Sequence, residues 1–275
     1  MATRGWRRLR MGLATVTGLA RQGFFIPYRY AASVPGDRGY PEVARVLEAA
    51  GPEMARLLDE IDALGPALAA LGGEPPEPRW AQTWFPRADG AAAYALVRRA
   101  PPRRIVEVGS GHSTRFLARA LRDAGAEAAQ TCIDPAPRAA LSGLSVDWRR
   151  EVLSPDHPPL FEALEPGDMA VFDSSHILHP GTDVDLILTG LLPRLASGVL
   201  VHVHDVFLPD PYPADWAWRG YAEQSGLAPW LLSGAFRVLW ASHWAVTRLG
   251  AAKRPGLAAL PWTGAPESSL WMVRA

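Results

Sequence analysis

The sequence predicts an α/β protein: a doubly wound, Rossmann-like, mostly parallel sheet with an N-terminal helical extension. Three observations predict it. From residue 103 onward, short apolar runs alternate with helical segments, the rhythm of a parallel sheet covered by helices on both faces. The first run, Arg104-Ile105-Val106-Glu107-Val108, ends in Gly109-Ser110-Gly111 and passes straight into a helix, as nucleotide-binding strands do. Later runs end in acid, at Asp134, Asp173 and His204-Asp205.

The chain opens with a basic arm. Arg4, Arg7, Arg8, Arg10, Arg21 and Arg29 precede the first acid, Asp37, and surround the apolar stretch 11–20. A cleaved signal would need a cleaner apolar block and a small-residue cleavage site. The arm is expected to be solvated and to pack on the core; a peripheral amphipathic segment on a membrane surface is the alternative. Residues 41–71 read as helical, because Met54, Leu57, Leu58, Ile61, Leu64, Leu68 and Leu71 recur at three- and four-residue spacing. Pro41 and Pro52 suit the first turns of two helices. The run Gly72-Gly73-Glu74-Pro75-Pro76-Glu77-Pro78 reads as a linker. The expected division is therefore 1–79, basic arm and helical extension, and 80–275, the main domain.

Asp89 is a plausible N-cap for a helix over 90–100. Strands follow at 103–108, 130–133, 146–152, 169–172 and 198–203, with helices at 113–124 and 183–196. A proline- and aromatic-rich loop, 206–215, leads to a helix over 216–233. Strands over 236–247 and 268–274 have no clear helix between them, which suggests an antiparallel pair at the sheet edge.

Composition narrows the function. The 275 residues carry 28 basic and 28 acidic side chains, so no polyanionic partner is implied. Lys253 is the only lysine, and the abundance of arginine, alanine and proline fits a GC-rich genome. The single cysteine, Cys132, falls within a strand and reads as a buried thiol; a reducing cytoplasm is the default location. The longest uncharged stretch of the C-terminal half, Gln224 to Phe236, contains Pro229 and is shorter than the ~20 residues a membrane span needs.

The glycine turn argues for a particular cofactor. Gly109 and Gly111 permit a tight turn, and the N–H groups opening the next helix favour an anion. A dinucleotide fold would place Gly or Ala where Thr114 stands. Glu107 would repel a pyrophosphate but suits an amine and a sulfonium. S-adenosylmethionine has both, and its carboxylate could use the helix N-terminus; the expected cofactor-binding residues are Glu107, Gly109, Ser110, Gly111, Ser113, Thr114, Asp134 and Asp173. Asp134, at the end of the second strand, can accept two ribose hydroxyls.

These residues resemble a known family. Glu107-Val108-Gly109-Ser110-Gly111, with Asp134 after strand two, looks like the class I S-adenosylmethionine-dependent methyltransferases. The longer string through His112-Ser113-Thr114 resembles a bacterial branch, as do Asp173-Ser174-Ser175-His176, His202-Val203-His204-Asp205 and Tyr221-Ala222-Glu223-Gln224. The resemblance implies a seven-stranded sheet with its last strand antiparallel, a methyltransferase activity and S-adenosylmethionine as cofactor.

Asp173, His204 and Asp205 should converge on the crevice at the carboxyl edge of the sheet, joined by His176 and His179. Three readings stay open there. Asp173, His204 and Asp205 could bind a divalent metal, with manganese, iron or zinc accepting the imidazole more readily than magnesium. His204 or His176 could act as general base, held by Asp173 or Asp205. Or the polar groups could only tie loops together. His202 reads as a satisfied core histidine. Tyr212, Trp216, Trp218, Tyr221, Trp80, Trp84 and Phe85 could wall an acceptor pocket. Arg219 and Glu223, four apart, suggest a helical ion pair, or Arg219 could read an acidic group on the substrate.

The expected function is methyl transfer to a small molecule, at a hydroxyl, with metal assistance open. The alternatives are an NAD(P)-dependent oxidoreductase on a similar sheet and a non-catalytic interaction module. Nucleic acid is not expected as a partner. The sequence names neither the acceptor nor the oligomeric state.

Overall fold

A computed structural model describes residues 2–275. It separates into two compact units, 1–38 and 39–275. The 79/80 boundary expected from sequence thus falls inside the second unit.

The first unit contains helix α1 (Ala2–Val16). None of residues 5–38 is buried.

The second unit begins with α2 (Pro41–Ala49), α3 (Gly51–Ala63) and α4 (Gly65–Ala69), two of them opened by Pro41 and Pro52 in their first turns. Met54, Leu57, Leu58, Ile61 and Leu68 are buried, as the periodicity required. Each such side chain contributes roughly 1.5–3 kcal/mol, which is why this extension belongs to the main body. Polar contacts add to it. Trp80 Nε1 donates to Leu68 O at 2.9 Å, and Arg254 pairs with Asp59 and Asp62. The linker at 72–78 is pinned too, since Glu77 accepts from Arg119 and Arg122.

Then come α5 (Arg87–Arg99), β1 (Arg104–Val108), α6 (His112–Asp123), β2 (Ala129–Ile133), β3 (Asp147–Arg149), α7 (Pro158–Glu162), β4 (Met169–Phe172), α8 (Asp183–Leu186) and β5 (Leu200–Val203). The chain ends with α9 (Glu223–Leu232), β6 (Phe236–Ala241), α10 (Ser242–Arg248), α11 (Pro255–Ala258) and β7 (Leu270–Arg274). The seven strands form one sheet in the order β3-β2-β1-β4-β5-β7-β6. β7 runs antiparallel to both its neighbours, and the pairings among β1 to β5 are parallel. The expected fold class is the observed one.

Three local expectations need correction. The helix over 183–196 is α8 followed by a π-helical turn and a 3₁₀ turn, because Pro193 supplies no N–H to continue an α-helix. The strand over 236–247 stops at Ala241, where its partner β7 begins at Leu270; with no strand left to pair, the chain turns into α10. The helix over 216–233 is split by Gly220, whose φ of 69° is left-handed.

Candidate active site

The strand ends are knitted together before any side chain is considered. Gly109 N donates to Ile133 O at 3.0 Å, Asp173 N to Val108 O at 2.9 Å and His204 N to Phe172 O at 2.9 Å. These bonds carry the ladder one residue past β1, β4 and β5. The glycine turn, Asp173 and His204 therefore share the carboxyl edge, the ligand-binding edge of an open α/β sheet. Gly109 has φ 79°, and a Cβ there would stand 1.8 Å from Asp173 O. Only glycine fits.

The turn is held by its own neighbours. Asp134 accepts from Ser110 N at 2.6 Å, Ser110 Oγ at 3.0 Å and Ala136 N at 2.7 Å. Thr114 Oγ1 accepts from Gly111 N at 2.9 Å, closing the start of α6. Glu107 is fully buried; it accepts from Gln130 Nε2 at 2.9 Å, Cys132 Sγ at 3.3 Å and Ser113 Oγ at 3.3 Å. Burial raises its pKa to about 7. As placed, Glu107 braces α6 against β2. It was expected to face a cofactor's amine, and its carboxylate is instead enclosed. Cys132 is a buried free thiol, as expected.

Sequence reasoning did not single out His112 for the site. It opens α6, is 5% exposed, and its Nδ1 has no partner. Burial and then the cations Arg115 and Arg79 push its pKa down to about 4, so the ring is neutral. A helix N-terminus flanked by two guanidinium groups is an anion-favouring place, suited to the carboxylate of an amino-acid-like cofactor.

The second cluster brings together Asp173, His176, His204 and Asp205, as expected. His176 Nε2 lies 3.3 Å from Asp173 Oδ1 and 3.5 Å from Asp205 Oδ2. His204 Nδ1 lies 3.6 Å from Asp173 Oδ1 and 3.6 Å from Asp205 Oδ1. Each ring is fixed from behind by a buried acid. His176 Nδ1 contacts Glu223 Oε2 at 2.8 Å, and His204 Nε2 contacts Asp89 Oδ2 at 3.3 Å. Burial opposes charge on both rings, but the surrounding carboxylates outweigh it and hold both imidazoles well above their ordinary pKa. Burial likewise opposes charge on Asp173, and the two imidazoles overcome it, keeping this carboxyl well below its ordinary value. The Asp173 side chain remains 32% exposed, against 4% and 6% for the two rings; it is the part of the cluster that meets the crevice.

Two backbones here are left-handed without being glycine: His176 at φ 59° and Asp205 at φ 55°. Each costs on the order of 1–3 kcal/mol, and such strain persists where surrounding contacts over-determine it, often at functional sites. Ala222 N, donating to His176 O at 3.0 Å, and Ser268 Oγ, donating to Asp205 Oδ1 at 3.2 Å, are among those contacts.

Several expectations change. Asp89 does not cap α5. It sits fully buried in the first turn and accepts from Ser268 N and Ser269 N as well as holding His204. Arg219 does not pair with Glu223, because left-handed Gly220 takes them off a common helix; it lies 3.8 Å from Asp205 and stacks on Trp216 at 3.7 Å. The three donors expected to bind a metal, Asp173, His204 and Asp205, do come together. Their nitrogen and oxygen atoms face one another as ion pairs, however, and among the described residues no three His, Cys, Asp or Glu side chains are set to hold a metal ion. His179 forms the turn before α8, where Thr182 N donates to its carbonyl at 3.0 Å. His202 is buried, with Nε2 on Ser269 Oγ at 2.9 Å, and burial pushes its pKa down to about 3. Of the aromatic residues, Trp80 and Phe85 pack against Phe116 in the core, whereas Trp84 and Trp218 are exposed.

Residues 106–206 match a family model described as a methyltransferase domain. No curated protein matches the chain. Among solved structures, the S-adenosylhomocysteine-bound methyltransferase PaMTH1 of Podospora anserina is 17% identical, covering 92% of this chain and 99% of its own, with a TM-score of 0.41. A methyltransferase from Thermobifida fusca, itself of provisional assignment, is 15% identical over 80% of this chain and 94% of its own, at TM-score 0.42. The plantazolicin methyltransferase BamL, in complex with a triazolic desmethylPZN analogue and S-adenosylhomocysteine, is 12% identical over 85% and 91%, at TM-score 0.38. The matched segment spans the glycine turn and all three acidic strand ends, on a sheet whose last strand alone is reversed; residues 106–206 are those of a methyltransferase domain.

Proposed function

We propose that this methyltransferase acts on a hydroxyl of a small molecule, with the Asp173, His176, His204 and Asp205 cluster receiving the acceptor. One observation carries the reading. Two imidazoles, each anchored from behind by a buried acid, converge on Asp173 Oδ1, and Asp173 reaches the crevice beside the glycine turn. An imidazole held by a buried acid on one nitrogen, with its other nitrogen on the carboxylate that meets the crevice, can draw the acceptor's proton in through that carboxylate. The acceptor oxygen takes the methyl group from the sulfonium, whose bonding pair stays on sulfur. The acceptor's proton passes by way of Asp173 to His176, which Glu223 orients. Arg219 and Trp216, beside Asp205, would form the acceptor's wall.

His176 can accept that proton only after releasing the one its raised pKa keeps on it. A bound sulfonium opposes the imidazolium and helps that release. The turnover rate is therefore expected to rise with pH through a midpoint above the ordinary imidazole value. His176→Gln should lower kcat by roughly 10²–10⁴-fold and remove that limb, while S-adenosylhomocysteine still binds by calorimetry. A pH profile unchanged in His176→Gln would refute the assignment. The same assay with EDTA tests the metal reading on Asp173, His204 and Asp205. Loss of turnover restored by one divalent cation would replace the base with a metal. No helix among the described residues is long and apolar enough to cross a membrane. We place the enzyme in the cytoplasm on its single, buried, unpaired cysteine.

A further inference from the structure

The surface of the first unit is not that of a solvated arm. In α1, Trp6, Leu9, Leu13 and Val16 recur at three- and four-residue intervals and share one face. They are 68%, 53%, 56% and 60% exposed. Gly5 and Gly12 lie along the same stripe and leave it open. Arg8 and Arg10 flank it at ~100° per residue, and Arg7 lies opposite. Met11, away from the stripe, is partly buried, so it is the apolar face that is left uncovered. Beyond the helix, Phe25, Ile26 and Tyr28 are also exposed. No acid occurs before Asp37.

We propose that α1 is an interfacial helix that docks on an anionic lipid bilayer. Its apolar stripe enters the boundary of the acyl chains, and Arg8 and Arg10, at the flanks of the stripe, meet the lipid phosphates. Charge complementarity selects this occupant. A second copy of the helix would bring arginines against arginines with no acid to answer them. Nucleic acid would satisfy the arginines but leave Trp6, Leu9 and Leu13 in water. At 15 residues, α1 is too short to span and of a length to lie flat.

The test is co-sedimentation of the full chain with vesicles of phosphatidylcholine alone and of phosphatidylcholine mixed with phosphatidylglycerol. Binding is expected only to the mixed vesicles, weakening as salt rises. Arg8→Gln combined with Arg10→Gln should weaken that binding on the order of twenty-five-fold, about fivefold per charge. Leu9→Ser combined with Leu13→Ser should abolish it, while S-adenosylhomocysteine binding stays at the wild-type level and shows the main body folded. Equal binding to both vesicle types, or none to either, would overturn the proposal. So would a dimer in light scattering that the two serines dissolve, since the stripe would then be covered by a second copy.

Discussion

Replacing Glu107 by glutamine separates two roles its position could give it. The carboxyl is fully buried, and burial raises its pKa from 4.5 to about 7. The folded protein therefore holds this proton more tightly than the unfolded chain. Below the ordinary value of 4.5 both states are protonated and Glu107 costs nothing. As pH rises through that value, the unfolded chain ionises first and stability falls, levelling off above about 7. Linkage over a shift of this size gives a total of about 3 kcal/mol, of which some 2–3 kcal/mol appears between about pH 5 and pH 8. Glutamine cannot ionise and mimics the protonated acid. The stability of Glu107→Gln relative to wild type, from urea unfolding, should therefore improve by about 2–3 kcal/mol from pH 5 to pH 8. Every other titrating group is common to both proteins and cancels. Calorimetry with S-adenosylhomocysteine should show affinity retained, because the carboxylate is spent on Gln130, Cys132 and Ser113. An identical stability difference at the two pH values would refute the buried-acid reasoning. A collapse in cofactor affinity would show that Glu107 touches the ligand instead of bracing the turn.

Gly109→Ala should cost more than about 3 kcal/mol and leave little folded protein, since its Cβ meets Asp173 O at 1.8 Å. Gly125→Ala, also left-handed but with nothing within 4 Å, should cost only about 1–2 kcal/mol; equal melting points for the two would contradict the close approach. Asp89→Asn leaves His204 charged and without its buried partner, and should destabilise by about 3–5 kcal/mol in urea unfolding. It should also lower the His204 pKa followed by NMR, and an unmoved titration would remove Asp89 from the cluster.

Much of the candidate site's edge was legible because it is built from local signals. Apolar runs ending in Gly109, Asp134, Asp173 and Asp205 are strand ends by pattern alone, and parallel topology brings strand ends together. The acids behind the imidazoles were not legible. Asp89 stands 115 residues from His204 and Glu223 stands 47 from His176, and no local periodicity reports a contact across such distances. One signal was available at Asp89. It lies in a stretch of alanines and Gly90 whose small side chains imply close packing on every side, a poor place for a solvated cap. Glu223 was misassigned to Arg219 because a four-residue spacing means proximity only on an unbroken helix, and Gly220 breaks this one.

Charge connects the two halves of the site. Asp89, Asp173, Asp205 and Glu223 surround two imidazoles and one guanidinium, four acids against three basic groups. The raised pKa values of the imidazoles are the cluster's answer to surplus negative charge. A cationic sulfonium arriving beside Asp173 supplies part of the same answer. On the proposed mechanism one proton then becomes dispensable, and the ring that releases it would be free to take the acceptor's. The left-handed backbones at His176 and Asp205 hold the ring and the carboxylate at that meeting point. The buried acids behind them keep the geometry fixed while the charge changes.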